Sequence, residues 1–452
     1  MGIFNPFRLL DRRAKEVEEQ RARIAFVAEA GDVRALVELL PFLPPETHRL
    51  GPDAAKAADS VLARCSPVQL AWFDQWYREG WGPKGPDAPA WRDVRLGPLS
   101  WARQFRGVVA LASFHGNGFV REIAVRLLGS FDDGFELPYL LIRTNDWVPK
   151  VRVAAATAAL HRVGPSYVEH WIRCLGLLER LRSAERRDRD DAVYGRRVEQ
   201  LLLHADSRAS LQTALSAGDL TTRRAALRLA ELLPPAERHE LLTTAVLDVD
   251  PRIAIQAARG LLASPSPGDS SAIHPQLLQH RLGKIRSLAL TAAVEHDLPS
   301  STDWLERALL DDARCVREVA RFELSKGAGA PRDFASWYRA RLSATDPRLR
   351  VIALEGLAEI GTREDVPVFL PLLRAPNARV RAAAIAGIGR CQGDRHHDEL
   401  EAALRDPSSM VRRAATPFAK LHSGKAFVQR LRRESREPPA RRTDAAHSGV
   451  AK

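Results

Sequence analysis

The sequence has few cysteines, the residues that form disulfide bonds and many zinc sites. Its 452 residues include only four cysteines, Cys65, Cys174, Cys315 and Cys391, and no Cys-x-x-Cys pair. Neither a disulfide framework nor a cysteine-based zinc site is therefore expected. Isolated cysteines suit a reducing compartment, so we expect the protein to be cytoplasmic.

Long apolar runs are also missing. No stretch approaches the roughly 20 residues that a membrane-spanning helix needs, and the N-terminal segment lacks the apolar core of a signal peptide. We therefore expect no contact with a membrane. Alternating strand-type patterns are nearly absent too, which leaves helix as the main secondary structure.

Lysine is scarce, although the chain is basic. Only nine of the 68 basic residues are lysine, and the formal net charge is +12. An arginine excess is typical of proteins that bind nucleic acid or another polyanion. A general preference for arginine over lysine explains the same composition, because 56 acidic residues are interspersed along the chain. The sequence leaves both explanations open.

The strongest pattern present is a tandem repeat with a period of about 31 residues, which predicts stacked supersecondary units. Its clearest copies lie between Asp346 and Leu421, where apolar helical segments follow turn residues. The arginine near the start of each such segment serves as an index position. The nine index positions are Arg121, Arg152, Arg223, Ala254, Arg286, Arg317, Arg350, Arg381 and Arg412.

An alanine stands three residues after every index position. The nine alanines are Ala124, Ala155, Ala226, Ala257, Ala289, Ala320, Ala353, Ala384 and Ala415. An aliphatic residue usually precedes the alanine by four positions, which places both on one helical face. Because alanine lets two helix backbones approach closely, we expect a buried helix contact at each.

Each repeat is expected to be a hairpin of two helices, and the segment with the alanine is the first of them. Sequence signals also mark where these first helices begin and end. Asn or Asp four to six residues before most index positions predicts an N-cap. The capping residues expected in this way include Asn117, Asp312 and Asp346. Gly361 and Gly393 follow first helices and predict a left-handed backbone conformation there.

These features resemble HEAT-like repeats, most closely the short variety first noted in phycobilisome lyases. The pattern Asp-Pro-x-(Leu/Val)-Arg-x-x-Ala is clearest at 346–353, with a looser copy at 406–415. The resemblance implies an all-α fold, a right-handed α-solenoid of HEAT-like helical hairpins with a helical N-terminal cap region. Such repeats occur in scaffolds, adaptors and a few enzymes, so the resemblance selects no activity.

The pattern predicts three regions. Residues 1–115 form the helical cap region, which includes a Trp-rich Pro/Gly loop at 80–98. Residues 116–421 form the repeats, irregular at 162–218, and residues 422–452 form a basic, mostly disordered tail. Five tryptophans between Trp72 and Trp101 predict either an aromatic docking surface or a seal over the open end of the solenoid.

The candidate binding surface lies on the second helices of the repeats, which line the concave face in HEAT geometry. Its residues are Trp304, Arg307, Trp337, Tyr338, Arg341, Arg374 and Arg405. Tryptophan and arginine are enriched at interaction hot spots, although aromatic residues at helical spacing also form cores. The index arginines, by contrast, lie close to the buried alanines. We expect them to bind turn carbonyls or a capping Asp of a neighbouring repeat.

No catalytic, cofactor-binding or metal-binding set of residues emerges, so we expect no enzyme activity and no cofactor. The His396–Glu399 cluster lies where a helix begins, a position that favours acidic residues anyway. The sequence predicts an interaction scaffold or adaptor that binds a protein partner along the concave face. The alternatives are a nucleic-acid-binding protein with a basic groove and a bilin-lyase-like chromophore chaperone. The oligomeric state is not indicated.

Overall fold

The secondary structure in the computed structural model is helical. The structure describes residues 6–43, 46, 48–80, 103–182, 191–216, 219–263, 267–326 and 332–423, and these ranges contain no β-strand. The expected all-α fold is confirmed. The chain divides into two compact units, Met1–Leu261 and Leu262–Lys452. Most of the predicted tail at 422–452 and most of the predicted loop at 80–98 lie outside the described residues.

The first unit starts with helices that precede the repeats. These are α1 (Pro6–Ala30), a 3₁₀ helix (Val33–Phe42), α2 (Gly51–Arg64) and α3 (Pro67–Gly80). The repeat helices of this unit follow. They are α4 (Arg106–Ala112), α5 (Gly118–Leu128), α6 (Leu137–Arg143), α7 (Pro149–Leu160), α8 (Val168–Arg173), α9 (Leu175–Arg182), α10 (Asp191–Leu203), α11 (Arg208–Ser216), α12 (Leu220–Glu231), α13 (Pro235–Ala245) and α14 (Pro251–Leu262).

The second unit continues the pattern of helical hairpins. Its helices are α15 (Pro267–Leu278), α16 (Gly283–Glu295), α17 (Ser301–Ala308), α18 (Arg314–Ser325), α19 (Phe334–Arg339), α20 (Pro347–Ile360), α21 (Val366–Phe369), α22 (Ala378–Gln392), α23 (His397–Leu404) and α24 (Ser409–Ser423). The first helices of successive hairpins pack against one another: α20 packs against α22, and α22 packs against α24. The second helix of each hairpin lies against these first helices, for example α23 against α24.

The alanine column lies at the centre of this packing. All nine alanines, Ala124 through Ala415, have no solvent exposure. Ala353 and Ala384 belong to one apolar cluster with Leu357 and Phe369, and Ala415 belongs to the next cluster. The sequence prediction for this column is therefore confirmed at every position.

A second column of small residues was not evident in the sequence. Glycine stands six residues after three index positions, and a bulky side chain of the preceding second helix presses on it. The three pairs are Leu242–Gly260, Tyr338–Gly356 and Phe369–Gly387. A Cβ atom on Gly387 would lie 2.6 Å from the Phe369 ring, which is closer than van der Waals contact allows. Glycine therefore lets the second helix lie directly on the next first helix.

Most of the expected helix starts are present. The Asn117, Asp219, Asp346 and Asn377 side chains accept hydrogen bonds from backbone N–H groups of the first turn that follows. The prediction for Asp312 is wrong, because the N-cap of α18 is Ala313 and the Asp312 carboxylate binds arginines instead.

The predicted left-handed glycines are also wrong. Gly361 and Gly393 have φ values of −57° and −59°. Among the described glycines, φ is positive at Gly31 and Gly134. Gly31 follows the last residue of α1, where a left-handed residue commonly ends a helix.

The irregular stretch contains an additional hairpin. α10 and α11 occupy the interval in which one index position is missing, and Val198 and Leu202 of α10 are buried. Within the same stretch, Cys174 separates α8 from α9. Near the N-terminus, the Trp72 and Trp76 rings stack with centroids 6.2 Å apart. Trp81, Trp91 and Trp101 lie outside the described residues.

Candidate functional site

Four index arginines bind an aspartate of the next hairpin, as expected for a structural role. The pairs are Arg121–Asp146, Arg223–Asp248, Arg286–Asp311 and Arg381–Asp406, with two N–O contacts each of between 2.6 and 3.4 Å. We call these residues the ladder arginines and the ladder aspartates. The sequence interval within each pair is the same. Because both guanidinium edges face the protein, these arginines are not available to a ligand.

Each ladder aspartate also joins the following repeat. The Asp406 carboxylate accepts the Ser408 backbone N–H at 2.8 Å, and the Asp406 carbonyl accepts a hydrogen bond from Arg412 at 2.6 Å. Asp146 and Asp311 make the corresponding contacts, with Arg152 and Arg317 as the next index residues. Asp146, Asp311 and Asp406 therefore each connect the index arginines of two successive repeats, whereas the index position that follows Asp248 holds Ala254.

The arginines also change the acidity of these carboxyl groups. The hydrogen bonds from Arg381 lower the pKa of Asp406. Burial by itself would raise the pKa of Asp146, but the hydrogen bonds from Arg121 and the charge of Arg143 lower it below its ordinary value. The ladder aspartates in these two repeats are therefore ionised at neutral pH.

Arg317 departs from the ladder because Leu342 occupies the position at which its aspartate would stand. Its guanidinium instead binds Glu359 and lies 3.4 Å from Glu355, both on α20. Arg321 binds the other oxygen of Glu359 at 2.8 Å. Nearly buried ion pairs therefore bridge α18 and α20.

Arg350 departs in another way. The corresponding aspartate position holds Ala375, so there is no carboxylate to receive it. The Arg350 side chain is exposed and has no hydrogen bond or ion pair to any other residue in the described ranges. A neighbouring pair, Arg379 and Glu355, joins α20 and α22 through two contacts of 2.5 and 2.9 Å.

Four other arginines form a second column, one in each of four successive hairpins of the second unit. They lie at or just after the C-terminal end of a second helix or of the 3₁₀ helix Leu370–Arg374. We call them the second-helix arginines: Arg307, Arg341, Arg374 and Arg405. All four belong to the surface expected from the sequence.

The second-helix arginines differ from the ladder arginines in what they contact. The side chains of Arg307 and Arg374 are exposed, and neither side chain has a hydrogen bond or ion pair within the described part of the chain. Arg405 is exposed and pairs with Glu401 of its own helix at 2.9 Å. Arg341 lies 3.4 Å above the Trp337 ring centroid and donates a hydrogen bond to the Trp337 carbonyl. This column therefore offers positive charge to solvent.

A cavity lies beside the first of these arginines. Its volume is about 350 Å³, and its walls include Leu278, Leu290, Trp304, Arg307, Asp311 and Val316. The half-buried Trp304 ring stacks on the buried His274 ring, with centroids 6.3 Å apart and an angle of 6° between the planes. The cavity therefore combines apolar and charged walls, and one of its charged groups is the unpaired Arg307 guanidinium.

The remaining candidate residues divide between surface and core. Trp337 is half-buried and carries Arg341 on its face. Tyr338 is fully buried, where its hydroxyl donates to the Leu309 carbonyl and accepts from Arg321, each at 3.0 Å. Tyr338 therefore supports the surface from beneath and is not part of it.

A buried charge network in the first unit was not predicted. Asp74 of α3 binds Arg78 and the fully buried Arg143, and Arg143 binds the ladder aspartate Asp146 at 2.9 Å. Arg121 completes the network. These ion pairs join the N-terminal region to the first repeats, and their residues have no periodic spacing that the sequence could show.

The described residues show no arrangement suited to metal binding. No group of three or more His, Cys, Asp and Glu side chains in the described ranges is placed to hold a metal ion. Burial raises the pKa of the Cys65 thiol to about 11 and that of Cys174 to about 12, so neither is a thiolate at neutral pH. In the same ranges no helix is both long and apolar enough to cross a membrane.

The sequence profile of the HEAT-repeat family matches residues 336–417. This match begins in α19 and ends in α24, and it covers three first helices that carry the alanine column. The chain contains HEAT repeats. Their resemblance to the short phycobilisome-lyase variety stays a prediction.

Solved structures of a karyopherin, Kap121p, are similar to this chain. The structure of Kap121p is 14% identical, with 96% of this chain and 53% of that chain covered and a TM-score of 0.31. Kap121p bound to Nup53p is 14% identical, with 94% of this chain and 53% of that chain covered and a TM-score of 0.32. Kap121p bound to RanGTP is 14% identical, with 96% of this chain and 53% of that chain covered and a TM-score of 0.30. The chain thus spans about half the length of each. No curated protein sequence matches it.

Proposed function

We propose that the chain is a non-enzymatic interaction scaffold that binds a protein partner along the second-helix surface of the unit Leu262–Lys452. In HEAT repeats this surface lines the concave side. The observation that carries the proposal is the contrast between the two arginine columns. The ladder arginines are bound within the fold, whereas Arg307 and Arg374 are exposed and unpaired within the described ranges.

The aromatic residues of this surface support the same proposal. Trp304 and Trp337 are half-buried, so each has one part of its ring fixed in the apolar core and another part accessible. A partly fixed indole beside a guanidinium loses little side-chain entropy on binding, which is why Trp and Arg recur at hot spots. The cavity beside Trp304 supplies a recess for a partner side chain.

The test is affinity capture with the whole chain and a charge-reversed variant. The variant carries Arg307→Glu, Arg374→Glu and Arg405→Glu. A partner that binds this surface is retained by the parent protein and lost from the variant, because removing attraction and adding repulsion both weaken the complex. The matched control reverses the charge of three arginines that are exposed but lie on first helices, Arg252, Arg259 and Arg413. If every partner stays bound to the variant, the proposed surface is wrong.

Nucleic-acid binding is the alternative that the net charge of +12 favours. Exposed guanidinium groups bind phosphate as readily as carboxylate. A gel-shift experiment at about 50 mM salt decides the question, because affinity based on phosphate contacts is high at low salt and falls steeply as salt rises. Binding of duplex or single-stranded DNA or RNA that disappears in the charge-reversed variant would replace the protein-scaffold proposal. No shift at this salt excludes the alternative.

A further inference from the structure

The second-helix arginines recur with the repeat. Arg307, Arg341, Arg374 and Arg405 each occupy the same place in their hairpin, so the interval between successive members stays close to the repeat period. Neighbouring helices in a stack lie about 8–10 Å apart, so equivalent residues of successive hairpins are displaced by about this distance. The column is therefore a row of positive charges with an expected spacing of about 10 Å.

The row is narrow. Two of the four second helices carry carboxylates in their first turns, Asp303 in α17 and Asp398 and Glu399 in α23. In these two helices the arginine lies at the C-terminal end, away from the carboxylates. Such a row suits a single extended chain with isolated negative charges. A continuous phosphate backbone is less well matched, since its width brings it near the acidic first turns.

We propose, as a consequence of the scaffold function, that this row binds an extended acidic segment of a partner protein with a carboxylate at every third residue. A polyproline II chain rises about 3.1 Å per residue and has three residues per turn. Residues i, i+3, i+6 and i+9 then lie on one face, spaced by about 9 Å. This spacing matches one carboxylate to each second-helix arginine.

The two ends of the row differ, which gives the bound segment a direction. Trp304 and Trp337 lie three and four residues before Arg307 and Arg341, whereas the corresponding positions before Arg374 and Arg405 hold Leu370 and Glu401. The cavity with apolar walls also lies at the Arg307 end. The segment should therefore carry an apolar or aromatic residue next to the acidic residue that binds Arg307.

The probe is a fluorescent synthetic peptide just long enough to present four evenly spaced glutamates. Glutamate occupies its first, fourth, seventh and tenth positions, proline and serine fill the spaces, and a leucine stands beside either the first or the tenth glutamate. Two further peptides of the same composition carry the glutamates consecutively or at every second position. Fluorescence anisotropy with the full chain measures each affinity. The evenly spaced peptide is expected to bind at least about fivefold more tightly than the other two.

Charge reversal identifies the site. The double variant Arg307→Glu/Arg374→Glu is expected to weaken binding of the evenly spaced peptide at least about tenfold, because two contacts become repulsive. The control Arg252→Glu/Arg259→Glu makes the same change in net charge on α14 and should alter binding by less than about twofold. Far-UV circular dichroism of each variant verifies the helical fold.

Several outcomes overturn the inference. If the three peptides bind equally, the proposed carboxylate at every third residue is wrong. If the two double variants weaken binding equally, the proposed binding site is wrong. Tighter binding of a short single-stranded DNA at the same row assigns the row to nucleic acid. If a partner binds through this surface and the acidic peptide does not displace it, the scaffold function stands, and only the proposal of an acidic segment is refuted.

Discussion

Residues at equal positions in successive repeats have different roles here, and the ladder arginines show why. Arg286 and Arg381 are bound because the next hairpin supplies an aspartate to each, whereas Arg350 is exposed because Ala375 stands in that place. The sequence places these arginines in one column. Their environment is decided by a second residue in the next hairpin.

Restoring the missing carboxylate should stabilise the protein. We expect Ala375→Asp to raise the free energy of unfolding by about 0.5–1 kcal/mol, the range for an exposed ion pair. Urea unfolding at neutral pH and low salt measures the change. Arg350→Ala should remove the gain when combined with Ala375→Asp. A gain that persists in the double variant shows that the new aspartate does not bind Arg350.

The buried alanines should not tolerate a larger side chain. We expect Ala415→Leu to lower the free energy of unfolding by about 1–3 kcal/mol, since its site is fully buried and has no room for three more carbon atoms. Ala402→Leu, at an exposed position of the adjacent helix α23, is the control and should change stability by less than about 0.5 kcal/mol. Equal thermal stability of the two variants would contradict the packing role of the column.

At the scale of the helices, much of the repeat could be predicted from the sequence and the joints between helices could not. The alanine column predicted the buried face correctly at all nine positions, because it depends on local helical periodicity. The Phe369–Gly387 contact was missed, since it depends on two residues in different helices. The Arg381–Asp406 contact agrees with the expectation that an index arginine binds an aspartate of a neighbouring repeat. Gly361 misled the prediction because its helix ends without a left-handed residue.

The glycine column allows a test of how the helices meet. Glycine to alanine inside a helix usually stabilises by about 1 kcal/mol. We expect Gly387→Ala to destabilise instead, by about 1 kcal/mol or more, because the added methyl group would overlap the Phe369 ring. Gly195→Ala in α10, where no atom lies within 4 Å of the added carbon, should give the usual gain. Chemical denaturation of both variants checks the opposite signs.

At the scale of the whole molecule, the candidate surface was predicted less completely than the fold. The sequence identified the second-helix arginines through their recurrence, but it grouped the exposed Arg374 with the fully buried Tyr338. Burial depends on the packing of three helices around a position, and periodicity within one helix does not report it. The buried network around Asp74 and Arg143 was missed for the same reason.

Acid should unfold the protein through the carboxylates that arginines bind. The pKa values of Asp146 and Asp406 are lowered in the folded protein, so their charged forms stabilise it above the unfolded pKa of about 4. This stabilisation is lost as the pH falls through the folded pKa. We expect the free energy of unfolding to decline below about pH 4, as measured by urea titrations followed by circular dichroism.

Asp406→Asn provides the comparison. This variant should be less stable than the parent at pH 7, and the difference should shrink toward pH 3 because the parent carboxylate also loses its charge there. A difference that stays constant across this pH range would show that the Arg381–Asp406 contact contributes no charge-dependent stability.

The ladder also bears on how such a chain lengthens during evolution. Asp406 binds the index arginines immediately before and after it, Arg381 and Arg412, so these bonds of the ladder are made between adjacent copies. A duplicated segment such as 378–408 would bring its own arginine and aspartate in the correct register. Gene duplication in steps of one copy can therefore extend the array without any compensating substitution elsewhere.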